Sequence, residues 1–312
     1  MVQGIYLETT RSLRVVNYQV EGIIVFLNGE RGVHVVEMLT KNSFHIQAVV
    51  GTDKLNGSYR EKIAQLGLSF LELEKVNQQM SREILVQNNP RLFIVAGFSQ
   101  IFKSDLLQIP KLGTINLHAG KLPQYRGGSP LNWQLINGEV VAGVSVVKMD
   151  KGIDSGEVLA EATFPIDVND TIEQLHQKAN KIFPQLVIEV LLNFDAGKTS
   201  GRIQKEEDAC YWHQRKDVDG KVNFSEMTAK QVLNMIRGLT KPYPGAWTNY
   251  KDKKVRLYKA KMPIFTVRGT PGRICYIQGQ GPIIICSDQG ILIENYMCPS
   301  DSYLVLEQGT FI

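Results

Sequence analysis

Runs of apolar residues recur at regular intervals through the first half of the chain and predict the strands of a buried sheet. The runs at residues 22–27, 46–50 and 91–96 are almost free of polar side chains, which is typical of parallel strands covered on both faces. Stretches with apolar residues on one helical face separate these runs. The alternation predicts an α/β domain with a Rossmann-like, mostly parallel sheet.

The pattern changes near residue 200. Residues 199–207 are polar and predict a linker. Short strand-like runs separated by glycine and proline follow it, and this spacing predicts a small antiparallel β-barrel similar to an OB-fold. The predicted strands of this region are residues 254–260, 272–278, 282–286 and 290–296.

The length of 312 residues accommodates two domains, and the composition is that of an ordinary globular protein. We expect an N-terminal extension at residues 1–21, an α/β domain at 22–200 and a barrel-like domain at 201–312. A net charge of +4 is too small to indicate nucleic-acid binding by itself. No apolar run approaches the roughly 20 residues of a membrane span, and no secretory signal is visible, so the sequence predicts a cytoplasmic protein.

Two common kinds of cofactor site are disfavoured. None of the four cysteines forms a Cys-x-x-Cys pair or lies at zinc-ligand spacing from histidine, so we expect no metal site. The loop after the first strand, residues 28–32, reads NGERG and lacks the G-x-G-x-x-G spacing, which disfavours an NAD-linked oxidoreductase. A helix N-terminus can still hold an anion, so Asn28 and Gly29 either contact a substrate or form a plain turn.

One polar pair stands out against the apolar pattern. Asn116 and His118 are two residues apart in the strand-like run 114–118, so they lie on the same face of the strand. A buried amide without a partner costs about 1–3 kcal/mol, so a partner is expected nearby. A second strand-like run, 142–149, leads into a loop with Asp154, and parallel pairing of the two strands would bring both loops to one edge. An amide donor, a proton acceptor and a carboxylate that orients it would then lie together.

Around these residues the chain resembles a known family. The segments NLHAGKLPQYRGGSPLNW and MDKGIDSGE, which contain Asn116, His118 and Asp154, resemble the signature of the 10-formyltetrahydrofolate-dependent formyltransferases. Within that family the chain looks most like the sugar N-formyltransferases, through residues 129–133 and 136–139. The resemblance covers nearly the whole chain after the predicted extension.

The resemblance implies formyl transfer from N10-formyltetrahydrofolate to an amine, without a metal. It implies that Asn116 donates a hydrogen bond to the oxyanion, that His118 accepts the amine proton, and that Asp154 orients His118 or a bridging water. It also implies a pterin pocket between two loops, although Phe98 and Ile101 could instead pack in the core. The implied donor-binding residues are Gly97, Phe98, Ser99, Gln100, Ile101 and Asp150.

The resemblance further implies that the acceptor is a nucleotide-linked amino sugar, such as a 4-amino-4,6-dideoxyhexose. The product would serve a surface glycan such as the O-antigen of lipopolysaccharide. Arg126 would hold a substrate phosphate or orient its loop, with a surface salt bridge as the alternative, and Tyr243 would contact the substrate or pack against the protein. Neither a nucleic-acid partner nor a membrane is expected, and a homodimer is expected because relatives of this kind are often dimers.

Three alternatives stay open. A methionyl-tRNA formyltransferase shares both domains, but residues 206–312 carry 14 Lys and Arg against 11 Asp and Glu, a net of +3 that is small for a tRNA-binding surface. A basic patch around Lys251, Lys253, Lys254 and Arg256 would weaken that objection. A glycinamide ribonucleotide formyltransferase would not need the C-terminal domain. A non-catalytic folate- or nucleotide-binding module is disfavoured by the intact Asn, His and Asp set.

Overall fold

Residues 21–52 and 57–312 are described by a computed structural model of the chain. The predicted extension at residues 1–21 lies outside the described residues, except for Glu21. Within the described ranges, no helix has both the length and the apolar character needed to cross a membrane.

The first part of the chain alternates strands with helices. Its elements in chain order are β1 (Ile23–Leu27), α1 (Glu30–Lys41), β2 (Ile46–Gly51), α2 (Gly57–Gln65), β3 (Phe70–Glu72), α3 (Gln79–Gln87), β4 (Leu92–Ala96), α4 (Ser104–Leu107), β5 (Thr114–His118), β6 (Arg126–Gly127), α5 (Pro130–Ile136), β7 (Val141–Lys148), β8 (Val158–Pro165) and α6 (Ile172–Asp195).

Seven of these strands form one sheet, in the order β3-β2-β1-β4-β5-β7-β8. The strands from β3 to β5 run parallel, whereas β7 and β8 run antiparallel to their neighbours. Every residue of β1 and of β4 is buried, which explains their uninterrupted apolar sequences. The prediction of a mostly parallel, Rossmann-like sheet is confirmed.

The strand that precedes Asp154 differs from the prediction, because β7 lies antiparallel to β5, with Lys148 opposite Ile115. The connection through α5 returns the chain beside the end of β5, so β7 runs back along β5. The loop at residues 149–157 therefore starts beside the first residues of β5, and not beside its carboxyl end. It folds back along that strand and thereby brings Asp154 to the predicted pair.

Apolar side chains cover both faces of the main sheet. On one face, α1, α5 and α6 contribute buried residues such as Val36, Leu135 and Phe183. On the other face, Phe26 makes edge-to-face contacts with three further phenylalanine rings at centroid distances of 4.9–5.6 Å. These partners are Phe93, Phe98 and Phe102.

The second part of the chain is mainly antiparallel. A five-stranded sheet in the order β10-β11-β14-β13-β12 packs against α7, while β9 pairs with β6 of the first part. The predicted smaller antiparallel domain is confirmed, and the exact division at residue 200 stays a prediction. The elements are β9 (Tyr211–Trp212), α7 (Ala229–Leu239), β10 (Ala246–Tyr250), β11 (Lys253–Lys261), β12 (Ile274–Ile277), β13 (Gln280–Ile285) and β14 (Gly290–Met297).

The phenylalanine cluster generates a stability prediction. Replacing fully buried Phe26 by Ala leaves a cavity and removes three ring contacts, so the free energy of unfolding should fall by about 3–5 kcal/mol. Urea unfolding followed by circular dichroism measures this change. Tyr303→Ala, at a side chain that is 90% exposed, serves as the control and should change the same quantity by less than about 0.5 kcal/mol. Equal midpoints for both variants would contradict the packing described for Phe26.

Candidate active site

Asn116 and His118 both contact the carboxylate of Asp154. Asn116 Nδ2 donates to Asp154 Oδ1 at 3.4 Å, and His118 Nδ1 lies 3.4 Å from Asp154 Oδ2. The backbone N–H of Gly127 donates to the same Oδ2 at 2.9 Å. Three donors from two segments of the chain therefore surround the Asp154 carboxylate, which is 15% exposed.

Both ring nitrogens of His118 face hydrogen-bond acceptors. Nε2 lies 2.6 Å from the Tyr125 carbonyl oxygen, while Nδ1 faces Asp154, and the side chain is only 5% exposed. A neutral imidazole has one N–H and can donate to one of these acceptors, whereas the imidazolium can donate to both. The Tyr125 carbonyl and the Asp154 carboxylate therefore hold the His118 ring in place from both of its nitrogens.

The loop after β5 passes so close to His118 that residue 120 has no room for a side chain. A Cβ atom on Gly120 would lie 2.6 Å from His118 Nε2 and 2.6 Å from the Tyr125 carbonyl oxygen. The glycine thus permits the contact between the ring and that carbonyl.

Arg126 is fully buried and its guanidinium is occupied by the protein itself. Nε donates to Gln204 Oε1 at 3.1 Å, and both terminal nitrogens donate to the Glu206 carboxylate at 2.9 and 2.8 Å. Nη1 also donates to the Tyr211 hydroxyl at 2.7 Å. The hydrogen bonds with Glu206 raise the pKa of Arg126 and lower that of Glu206. These contacts favour loop orientation, the second role considered for Arg126, over phosphate binding.

The loop that follows β4 combines buried and exposed residues. Phe98 packs against the phenylalanine cluster, as in the alternative considered for it, whereas the Ile101 side chain is 86% exposed. Gln100 bonds to the backbone of residues 74 and 76, at 2.7 and 3.0 Å. Gly97 has a φ of 74°, and among the described residues no heavy atom beyond Gly97 and its chain neighbours lies within 4 Å of the position that a Cβ would take. This loop therefore offers its backbone and Ile101 to a ligand, while the donor-binding roles of its residues stay predictions.

Asp150 stabilises the loop that carries Asp154. Its Oδ1 accepts hydrogen bonds from the Gly152 N–H and the Ser155 hydroxyl, both at 2.9 Å. Ile153, between these partners, is 63% exposed. The carboxylate of Asp150 thus shapes the loop, and its contact with a formyl donor stays a prediction.

A cavity of about 460 Å³ lies at the N-terminus of α1. Gly29 is the N-cap of this helix, and Asn28 accepts a hydrogen bond from the Thr52 N–H at 3.2 Å and donates to the Ser99 hydroxyl at 3.4 Å. Asn28 therefore ties together the chain segments after β1, β2 and β4. Both residues line the cavity, and their contact with a substrate stays a prediction.

Arg31 also lines this cavity and was not predicted from the sequence. Its Nη1 donates to the Leu117 carbonyl oxygen at 3.3 Å, and its guanidinium lies 4.8 Å from the centre of the Phe183 ring. Burial lowers the pKa of Arg31 to about 10. The sequence does contain a signal for Arg31, because it is a cation in the first turn of the helix after a buried strand, next to the predicted anion-binding residues Asn28 and Gly29.

Tyr243 lies against the same region and packs on α6. Its hydroxyl is 3.0 Å from Nε2 of His176, and burial raises the pKa of the phenol. Burial, with a smaller effect of the Arg31 charge, lowers the pKa of His176 to about 4. A neutral His176 can accept a hydrogen bond from the Tyr243 hydroxyl, so these contacts give Tyr243 a packing role, and substrate contact stays a prediction.

A larger cavity, of about 1090 Å³, lies where the two parts of the chain meet. It is lined by the start of α6, by α7 and by β11 and β14. Glu294 accepts hydrogen bonds from Lys259 and Lys261, at 3.2 and 2.6 Å. Arg237 and Lys241 add positive charge to the lining. Across the described residues, no three His, Cys, Asp or Glu side chains lie close enough together to hold a metal ion.

Comparison with known proteins gives the class of the chain. Residues 22–191 match the family model described as formyl transferase, and residues 215–301 match the formyl transferase C-terminal domain. Methionyl-tRNA formyltransferase from Thermodesulfovibrio yellowstonii is 33% identical over 280 residues, which cover 87% of this chain and 89% of the relative. The chain belongs to the formyl transferase family and is a formyltransferase.

Solved structures share the fold at low sequence identity. WlaRD, a sugar 3N-formyltransferase solved with dTDP and 5-N-formyltetrahydrofolate, superposes with a TM-score of 0.68 at 20% identity, over 88% of this chain and 97% of WlaRD. HypX from Aquifex aeolicus, solved with tetrahydrofolic acid, gives a TM-score of 0.63 at 18% identity. That match covers 89% of this chain and 44% of HypX, so the chain spans less than half of that protein.

The low pKa of His176 predicts a pH dependence of stability. As the pH falls below 6.5, the unfolded chain binds a proton at this residue before the folded chain does, so stability is lost towards pH 4. Between pH 7 and pH 5 this loss should be about 2 kcal/mol for the wild type and absent at this position in His176→Gln. Urea unfolding at both pH values measures the difference. Parallel pH curves for the two proteins would show that His176 does not resist protonation.

Proposed function

We propose that the chain transfers a formyl group from N10-formyltetrahydrofolate to a primary amine in the cytoplasm. The observation that carries this proposal is the meeting of Asn116 and His118 at the Asp154 carboxylate, inside the region that matches the formyl transferase family. These groups answer the needs of acyl transfer to an amine, which are a donor for the developing oxyanion and an acceptor for the amine proton.

Each residue has a distinct role in the proposed reaction. Asn116 donates its amide N–H to the formyl oxygen as negative charge develops there, a kind of interaction typically worth about 3–4 kcal/mol. His118 takes the proton that the amine loses as its nitrogen bonds to the formyl carbon, and returns a proton to the departing nitrogen. Asp154 and the Tyr125 carbonyl stabilise the His118 imidazolium that exists between these two proton transfers.

The two loops predicted to hold the donor have features that fit a pterin ring. Residues 97–101 and 150–154 each expose an isoleucine, Ile101 and Ile153, beside backbone groups that can hydrogen-bond. A flat heteroaromatic ring needs both kinds of contact. When bound there, N10-formyltetrahydrofolate supplies the formyl group, and these loops would bind and orient it.

The comparisons favour methionyl-tRNA as the acceptor. The curated relative that aligns over 87% of the chain is a methionyl-tRNA formyltransferase, and the chain has both domains of the family. Lys241 in the lining of the large cavity between the two parts suits a phosphate backbone, whereas the Arg237 guanidinium is occupied by the carbonyl oxygens of residues 167, 168 and 170. This acceptor is a nucleic acid, contrary to the expectation from the sugar-enzyme resemblance and the small net charge, and is better supported than the amino sugar.

A nucleotide-linked amino sugar is the second candidate, favoured by the charge pairing on the C-terminal domain. Lys251 pairs with Glu307 at 2.7 Å, and Lys253 pairs with Asp301 at 2.9 Å. Lys254 and Arg256 share the Asp217 carboxylate, and both hydrogen bonds help to lower the pKa of Asp217 to about 2. These carboxylates neutralise the positive charges of the basic patch that would otherwise attract a tRNA. With this acceptor, the product would enter a surface glycan.

One assay separates the two acceptors. The enzyme is given N10-formyltetrahydrofolate with methionyl-tRNA, or with UDP-, dTDP- and GDP-linked amino sugars, and tetrahydrofolate release and product mass are followed. Transfer to tRNA that weakens steeply with added salt would support the first acceptor. Transfer to a sugar with tRNA inert would support the second, and no transfer to any amine would contradict the proposed function.

The roles of the three residues generate a mutational prediction. Asn116→Ala, His118→Ala and Asp154→Ala should each lower kcat by about 100-fold or more, because each removes a group that acts on the reacting atoms or on His118. His34→Ala, on the surface of α1, is the matched control and should keep wild-type turnover. Circular dichroism confirms that each variant is folded. A folded His118→Ala enzyme with full activity would refute the mechanism.

A further inference from the structure

Residues 202–214 form a strap that runs beside the loop after β5. Near its start, Arg202 and Val158 exchange two backbone hydrogen bonds of 2.9 Å. Near its end, the Arg126 N–H donates to the Cys210 carbonyl oxygen at 3.0 Å, and β9 pairs with β6. The strap is therefore fixed on both sides of the short stretch that contains Gln204.

The Gln204 side chain is 5% exposed and points from the strap to the loop of Asp154. Its Nε2 donates to the Asp154 carbonyl oxygen at 2.8 Å and to the Gly156 carbonyl oxygen at 2.7 Å. Its Oε1 accepts the hydrogen bond from Arg126 Nε. A guanidinium can only donate, so Arg126 fixes which end of the amide is oxygen and directs the NH₂ group to the two carbonyl oxygens.

The loop of Asp154 adopts a conformation that needs such support. Asp154 has a φ of 52°, in the left-handed region that costs a residue with a side chain about 1–2 kcal/mol. Two residues further on, a Cβ on Gly156 would lie 1.8 Å from the Lys148 carbonyl oxygen, so the turn is tight as well. A strained backbone persists where its surroundings hold it, and Gln204 binds the carbonyl oxygens on both sides of Ser155.

We propose that Gln204 is a positioning residue, which acts through Asp154 by holding its backbone in the orientation that directs the carboxylate to His118. The inference rests on the proposed function for the role of Asp154 in formyl transfer. Gln204 itself lies in the strap and bonds to backbone carbonyls, so it has no direct part in the chemistry.

Two substitutions test the positioning role. Gln204→Ala removes the amide, and Gln204→Glu keeps an acceptor for Arg126 but places a carboxylate oxygen against two carbonyl oxygens. Each should lower kcat by about 30-fold while KM for the formyl donor changes by less than about threefold. Gln214→Glu makes the same chemical change in the same strap, at an exposed side chain that donates to the Ser129 hydroxyl, and should keep wild-type kcat.

A double-mutant cycle distinguishes positioning from general destabilisation. If Gln204 acts through Asp154, then adding Gln204→Ala to Asp154→Ala should lower kcat by less than about threefold further, far below its effect alone. Equal fold-losses in both backgrounds, or a Gln204→Ala enzyme as active as Gln214→Glu, would overturn the proposal.

Hydrogen exchange gives a readout that needs no acceptor. In Gln204→Ala, backbone amides of residues 150–157 should lose protection relative to wild type and to Gln214→Glu, with little change elsewhere. Unchanged protection of this loop would overturn the positioning role. An inactive wild type with a loop that loses protection in Gln204→Ala would contradict the proposed function alone.

Discussion

The site depends on how one carboxylate is satisfied. Asp154 accepts hydrogen bonds from the Asn116 amide and the Gly127 N–H, and it faces the His118 ring. A carboxylate that is mostly removed from water is costly unless several donors surround it. These donors come from β5 and from β6, so the arrangement ties the loop after β5 to the hairpin loop before β8. The same contacts that stabilise the charge also bring the Asn116 and His118 side chains together at the Asp154 carboxylate.

Much of the fold was predictable because the signal was local. A strand buried on both faces has to be apolar along its whole length, and β1 and β4 show this in their sequences. The direction of β7 was not predictable in this way, since a buried strand has the same apolar pattern whether it runs parallel or antiparallel to its neighbour. The meeting of Asp154 with Asn116 and His118 was thus anticipated from wrong strand geometry, because the loop at 149–157 folds back and compensates for the reversal.

The roles of charged and polar residues were harder to predict, because these depend on partners distant in sequence. Arg126 has the chemistry of a phosphate ligand. Its guanidinium, however, is bonded to Gln204, Glu206 and Tyr211, which lie 78 to 85 positions further along the chain. Gln204 lies in a stretch that looks like an ordinary polar linker until the Asp154 loop is placed beside it. Arg31 shows the same dependence, since the carbonyl that it binds belongs to β5. A side chain of this kind acquires its role only when the fold is complete.

The strap also changes where this protein can be divided. The two family matches end at residue 191 and resume at residue 215, so Gln204 and Glu206 belong to neither. A fragment cut at residue 191 would keep Asn116, His118 and Asp154 but would leave the Arg126 guanidinium without its acceptors. In chimeras that exchange C-terminal domains between family members, the crossover therefore belongs after residue 214. The connecting segment is bonded to the first part of the chain through Arg126 and the Asp154 loop, so it has to be transferred with that part.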